Sequence, residues 1–337
     1  MYLFGKNIDK EVVFVAEIGV NHEGNLDKAI ELIHLAKESN ADAVKFQSYT
    51  PEKFASSTDQ DRLKRVQNFA LSKEDHLKLI SESNKIGISF FSTSVSEDWV
   101  PFLEKNCECI KIASGDLNFN KLIEDVSKNS LPIILSTGLS TIEEIDTAVD
   151  IIKKNSPIDI REKLILLQCV ASYPTPIYEA NTRSVMILSK RYNVRVGYSN
   201  HVIGLEACFS AISLGACIIE AHFTDNKNDR EFRDHALSTD PDDFKVLVSS
   251  GTKIKESLGS YDKVIQESEK NNSKIINKGI VCSCDIKKDT ILTDKNLMYA
   301  RPATFFHAND INLLLGKKLK VNKKYGELIS QNDLDQD

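Results

Sequence analysis

The sequence predicts a (β/α)8 barrel followed by a small β-rich module. Three observations predict the barrel. Eight short apolar runs recur along the first 240 or so residues, stretches of helical character separate them, and most runs end in polar or ionisable side chains. Polar residues at the C-terminal ends of barrel strands read as an active site.

The runs are Val12–Gly19, Asp42–Gln47, Ile88–Ser94, Cys109–Ser114, Pro132–Thr137, Leu164–Cys169, Val194–Ser199 and Cys217–Phe223. Their ends carry Glu17, Lys45 with Gln47, Thr93, Lys111 with Ser114, Ser136, Gln168, Ser199 and His222. Strands this continuously apolar are buried on both faces, as parallel barrel strands are. After the first run a loop covers Val20–Asn25. A helix is then predicted over Leu26–Ser39, where Ala29, Ile33 and Ala36 recur at helical spacing. Thr141-Ile142-Glu143-Glu144 reads as a helix start with early acidic residues. Tyr49–Leu71 is a mostly polar connection, far longer than an ordinary barrel loop. It follows a strand end, on the face where a substrate would sit, and connections of that size are often functional.

Near Val264–Lys274 the chain becomes polar and loses periodicity, which reads as a linker. Beyond it, short strands at Gly279–Cys282 and Thr290–Ile291 alternate with turns. The expected plan is a barrel over residues 1–262, a linker over 263–276 and a β-rich module over 277–337. A module of about 60 residues is marginal alone, so it is expected to dock on something else.

Composition narrows the function. The chain has 337 residues, 41% apolar and 27% charged, with a net charge of −6. No basic excess exists to neutralise phosphates, so nucleic acid is not the expected partner. No apolar run reaches the length of a membrane span. Met1–Lys10 shows no signal-peptide core, and the seven cysteines read as reduced thiols, so a cytoplasmic protein is expected.

Lys45 and Lys111 stand inside apolar runs, where lysine is uncommon unless paired. One reading is a barrel-interior salt bridge with an acidic neighbour. The other is anion binding, with Ser114, Ser136 and Ser199 as hydroxyl donors for a phosphate and a carboxylate on one small molecule. His201 and His222 fall on the same face, and two imidazoles would hold a divalent metal with positions left for oxygen ligands. Glu220 shares a strand face with His222; it reads as a ligand, a supporting group or a core carboxylate. Glu17, inside the barrel mouth, would have a raised pKa and could move a proton, or could partner a lysine.

Together these residues resemble the sialic acid synthase family, phosphoenolpyruvate-condensing enzymes that make nonulosonic acids. The resemblance rests on Ala16-Glu17-Ile18-Gly19-Val20-Asn21-His22-Glu23-Gly24, Val44-Lys45-Phe46-Gln47, Phe91-Ser92-Thr93, Lys111-Ile112-Ala113-Ser114-Gly115, Leu135-Ser136-Thr137-Gly138, Tyr173-Pro174-Thr175-Pro176 and Gly197-Tyr198-Ser199-Asn200-His201. It continues through Leu214-Gly215-Ala216 to His222-Phe223-Thr224. The tail, Asp285-Ile286-Lys287-Lys288 through Ala300-Arg301-Pro302, resembles the antifreeze-like (SAF) domain of these enzymes.

The resemblance implies that Lys45, Lys111, Ser114, Ser136 and Ser199 contact phosphoenolpyruvate, with Gln47, Thr93 and Tyr173 lining the pocket. It implies that His201 and His222 hold Mn2+ or Mg2+ and that Glu17 manages protons. Asp234 would bind the amino sugar. Arg301 would reach the sugar's N-acyl group from the partner subunit, in a domain-swapped homodimer. Several positions depart from the usual pattern. Asn200 replaces an aspartate, Asp116 a glutamate, Gln168 a histidine, Ser94-Val95 a Pro-Phe, Phe232-Arg233 a Gly-Pro, and Ala303 a glycine. The departures fall largely where the amino sugar would lie, so they bear on acceptor identity more than on reaction type. Other readings are a different 3-deoxy-sugar-acid synthase, which the tail argues against, and a catalytically silent carbohydrate-binding protein on the same fold.

Overall fold

A computed structural model describes residues 1–228, 230, 232 and 234–335. Arg233, one of the departures noted above, lies outside the described residues. The chain divides into two compact units, Met1–Gly259 and Ser260–Asp337.

The first unit is a closed barrel of eight parallel strands, paired in sequence order. The strands are Val13–Gly19, Ala43–Ser48, Ser89–Ser94, Ile110–Ile112, Ile133–Ser136, Leu164–Gln168, Arg195–Asn200 and Ile218–His222. Each predicted run holds one strand, with ends shifted by a few residues. The fourth strand stops at Ile112, because Ser114–Asp116 form a tight 3-10 turn. The seventh runs one residue past Ser199. Helix Leu26–Glu38 is capped by Asn25, whose side chain accepts the Lys28 N–H. Helix Ile142–Asn155 opens with a reciprocal Thr141–Glu144 capping box.

Alternation along each strand explains where the polar residues go. In the first strand Phe14, Ala16 and Ile18 face outward into the core shared with the helices. Val13, Val15 and Glu17 form the opposite set. The inner layer near the strand starts is apolar: Val13, Val15, Ala43, Phe91, Ile134, Ile165, Leu167 and Ile218 cluster together. Continuing those rows by two residues gives Glu17, Lys45, Thr93, Ser136 and Glu220, one layer higher. Gly197 is required in this layer. A Cβ there would lie 2.5 Å from the Ile218 carbonyl oxygen and 2.6 Å from Leu167 Cδ2.

A hairpin, Tyr2–Leu3 with Lys6–Asn7, precedes the barrel. Its Leu3 and Phe4, with Ile8, join the inner apolar cluster. The Phe4 and Phe91 rings lie 5.0 Å apart. The hairpin therefore plugs the end opposite the strand tips. The long connection after the second strand is not a bare loop. It carries two helices, Pro51–Phe54 and Gln60–Phe69, packed around Tyr49, Ala55 and Val66.

In the second unit the polar segment after Val264 is helical over Glu267–Ile276, opened by a Gln266–Glu269 capping box. Gly279–Cys282 pairs antiparallel with Leu297–Ala300, and Ile291 bridges Lys318. Ile280, Cys282, Leu292, Leu314, Leu319 and Ile329 form its own core. No helix among the described residues is long and apolar enough to cross a membrane.

Candidate active site

The strand tips open into a cavity of about 1130 Å³. Its lining includes Glu17, Lys45, Gln47, Thr93, Lys111, Ser114, Ser136, Tyr173, Ser199, His201, His222 and Asp234. Every candidate residue of the barrel is thus brought to one place. Arg301 belongs to the second unit, where its Nε donates to the Ile276 carbonyl.

At the floor two lysines and two carboxylates interlock. Lys45 Nζ lies 2.7 Å from Glu17 Oε2 and 3.7 Å from Glu220 Oε1. It also donates to Thr93 Oγ1 at 3.0 Å. Lys111 Nζ donates to Glu220 Oε1 at 3.3 Å, and Ser199 Oγ donates to the same oxygen at 3.1 Å. All four charged side chains are buried. The salt-bridge and anion readings of the lysines are therefore not exclusive: the carboxylates neutralise the ammoniums within the cavity that would admit the anion. Glu220, unassigned from sequence, sits at the centre of this group. Sequence held one signal for it, the shared strand face with His222.

Burial separates the two carboxyl groups. It raises the pKa of Glu17; Lys45 pulls it back, Glu220 pushes it up further, and the net shift is upward. Burial acts on Glu220 in the same direction, but Lys111 and Lys45 together outweigh it and hold Glu220 ionised. The environments thus push the two carboxyl groups in opposite directions, Glu17 towards its protonated form and Glu220 towards its charged form. Burial also lowers the Lys111 pKa, opposed by Glu220 and assisted by Lys45.

Hydroxyls line the same wall of the cavity. Ser136 Oγ is buried with no hydrogen-bond partner among the described residues, an orphan donor aimed into a polar cavity. Ser114 Oγ accepts the Gly138 N–H at 3.0 Å and lies 3.0 Å from Cys169 Sγ.

The imidazoles stand together beside this wall, with ring centroids 5.4 Å apart. Tyr173 packs on His201 at 4.1 Å and meets His222 edge-on at 6.0 Å. His201 Nδ1 lies 2.6 Å from the Val170 carbonyl oxygen. A carbonyl only accepts, so Nδ1 carries the proton and Nε2 offers a lone pair. Burial lowers both histidine pKa values, with the His201 and Lys45 charges adding to the effect at His222. Neutral imidazoles are the form that binds metals. Among the described residues no group of three or more His, Cys, Asp or Glu is disposed to hold an ion. The two imidazoles alone would hold a divalent ion only with further ligands supplied from elsewhere.

The NeuB family model matches residues 32–263. The chain belongs to the NeuB family. A Campylobacter jejuni relative named N,N'-diacetyllegionaminic acid synthase is 34% identical over 96% of this chain and 100% of its own. An uncharacterized protein of Methanocaldococcus jannaschii is 39% identical over 95% and 94%. An N-acetylneuraminic acid synthetase structure from Leptospira borgpetersenii, crystallised with citrate, superposes with a TM-score of 0.73 at 33% identity, covering 78% of this chain and 90% of that one. This NeuB chain is therefore an enzyme of the sialic-acid-synthase type.

The remaining cavity wall was not legible as a site. Arg62, Arg65 and Phe69 line it from helix Gln60–Phe69, and Phe119 and Leu139 from other strand-end connections. The one sequence signal was the length of the connection that carries the first three.

Proposed function

We propose that this NeuB enzyme condenses phosphoenolpyruvate with an open-chain N-acyl amino hexose to give a nonulosonic acid and phosphate. One observation carries the reading: the Lys45–Lys111 pair and the Ser114, Ser136 and Ser199 hydroxyls line the same cavity as the two neutral imidazoles. Five donors of this kind suit a ligand with both phosphate and carboxylate groups. The acceptor is N-acetylmannosamine or a 2,4-diacetamido-2,4,6-trideoxy hexose, and the likeness to a diacetyllegionaminic acid synthase favours the second.

His201 and His222 would hold Mn2+ or Mg2+, which when bound supplies Lewis-acid polarisation of the acceptor aldehyde. The lysines and serines hold phosphoenolpyruvate in line, lowering the entropic cost of uniting two substrates. The carbon 2–carbon 3 π bond of phosphoenolpyruvate breaks to bond carbon 3 to the aldehyde carbon, and the aldehyde oxygen, as its C=O π bond opens, takes the proton of Glu17. Water then adds to the electron-poor carbon 2 and gives one proton back to the Glu17 carboxylate. The carbon–oxygen bond to phosphate breaks with its electron pair leaving on phosphate, the second water proton departs with the phosphate, and carbon 2 becomes a ketone. Gln47, Thr93 and Tyr173 shape the pocket, and Asp234 binds sugar hydroxyls.

The second unit is proposed as a SAF domain that brings Arg301 to the partner subunit's acceptor in a swapped homodimer. The deciding experiment mixes the enzyme with phosphoenolpyruvate, Mn2+ and a panel of acceptors, and reads product mass and phosphate release. Phosphate release with an N-acyl amino hexose is expected. Release only with phosphosugar acceptors, or with none, overturns the reading.

A further inference from the structure

Three neighbouring strand tips meet at one hydroxyl. Ser114 opens the 3-10 turn beyond the fourth strand, Gly138 lies two residues past the end of the fifth, and Cys169 directly follows the sixth. Ser114 Oγ accepts the Gly138 N–H at 3.0 Å, and Cys169 Sγ stands 3.0 Å from the same oxygen. The junction leaves no spare room. A Cβ on Gly138 would lie 2.9 Å from both Ser114 Oγ and Cys169 Sγ. Of the seven cysteines, Cys169 is the one that lines the cavity among the described residues.

A serine hydroxyl has one proton to give and two lone pairs to offer. Gly138 takes one lone pair. An ionised phosphate or carboxylate oxygen can only accept, so Ser114 serves an anion only if its proton points into the cavity. Its second lone pair then faces Cys169, whose S–H is the donor within reach. Turned the other way, the Ser114 proton would go to the sulfur, and a lone pair would face the anion.

We infer that Cys169 is a positioning residue whose S–H donates to Ser114 Oγ and thereby turns the Ser114 proton toward the bound anion. The thiol is a weak donor, but it sits in a chain from S–H to O–H to anion, in which each bond polarises the next. Ser136, on the intervening strand, needs no such support. Its buried Oγ has no other hydrogen-bond partner among the described residues and lines the same cavity.

The inference rests on the phosphoenolpyruvate reading above, so binding is measured apart from turnover. Phosphoenolpyruvate is titrated calorimetrically into wild type, Cys169→Ala and Cys169→Ser in buffer containing Mn2+, and steady-state kinetics follow for each. Cys169→Ala is expected to weaken phosphoenolpyruvate binding, and to raise its KM, by about two- to tenfold, with the acceptor KM unchanged. Cys169→Ser returns an O–H donor and is expected to recover most of that loss. Cys169→Val fills the space without a donor and replaces Cys169→Ala if that variant does not fold. Unchanged phosphoenolpyruvate affinity in the donor-free variant, an equal rise in both KM values, or an equal loss in Cys169→Ser overturns the inference and leaves Cys169 a packing residue. Failure of wild type to bind phosphoenolpyruvate overturns the reading of the site, and this inference with it.

Discussion

Lys111 and Glu220 are 109 residues apart in sequence and 3.3 Å apart in space. Their contact joins the charges of the cavity floor into one network. Glu220 Oε1 takes Lys111, Ser199 and the outer approach of Lys45, while Glu220 Oε2 has no hydrogen-bond partner among the described residues. Breaking such a pair strands a buried charge, at about 3–5 kcal/mol. Glu220→Gln is therefore expected to lower Tm markedly in buffer free of multivalent anions. Adding phosphoenolpyruvate should restore more of the loss than it adds to wild type, because the ligand replaces the missing charge. Differential scanning calorimetry with and without the ligand checks this. Equal ligand shifts in both proteins would count against the floor as the anion site.

Lys111→Ala removes a charged donor from the proposed anion site. A charge-assisted hydrogen bond is worth about 1.5–3 kcal/mol, so the phosphoenolpyruvate KM should rise by roughly 10- to 100-fold, at about a factor of ten per 1.4 kcal/mol. Steady-state kinetics with acceptor in excess measures it. Full activity in this variant would remove Lys111 from the site.

Much of this was readable from residue order because barrel alternation is local. Lys45 and Lys111 are conspicuous within their apolar runs, and strand period alone turns them inward. Glu220 was visible but not assignable, since its partners lie far away in sequence. The N-terminal hairpin was missed because only tertiary burial of Leu3, Phe4 and Ile8 gives it a purpose. The helices after Tyr49 were hidden by polar composition: Gln60–Phe69 buries only Val66. Its start depends on Asp59, which accepts the Arg62 N–H.

Asp116 gives a pH-dependent test. It lines the cavity half-buried, and burial raises its pKa from 3.8 to about 6. The folded state thus keeps a proton that the unfolded chain releases. Stability from this group is fully present below pH 3.8 and is lost as pH rises toward 6. Asp116→Asn should match wild type at pH 3.5 or so and exceed it at pH 7, by roughly 1–3 kcal/mol at about 1.4 kcal/mol per pKa unit. Urea midpoints of both proteins across that range, compared as differences, isolate the group. A constant difference would assign the effect to packing instead.

Lys163 tests the other end of the barrel. It immediately precedes the sixth strand, away from the strand tips, and is fully buried. Its Nζ donates to the carbonyls of Asn129 at 2.6 Å, Leu131 at 2.7 Å and Val126 at 3.2 Å. The ammonium ties the end of helix Asn120–Ser127 to the barrel. Lys163→Met keeps the stem and orphans three carbonyls, each costing about 1–3 kcal/mol when left unsatisfied and less where water enters. A Tm loss of several degrees with unchanged kcat and KM is expected. A fall in kcat at full occupancy of the folded state would show that this end of the barrel reaches the chemistry.

Arg301 tests the proposed exchange of tails between subunits. Arg301→Ala should raise the acceptor KM more than the phosphoenolpyruvate KM, because the guanidinium is assigned to the N-acyl carbonyl. Complementation separates exchange from an effect within one chain. In a mixed dimer of Arg301→Ala and Lys111→Ala chains, the barrel that keeps Lys111 would receive Arg301 from its partner. One of the two sites is then complete. Co-expression with two affinity tags isolates the mixed dimer, and about half of wild-type kcat per dimer is expected, with normal KM values. If each tail instead served its own barrel, every site would lack one of the two cations. The mixed dimer would then be no more active than the average of the two parent variants.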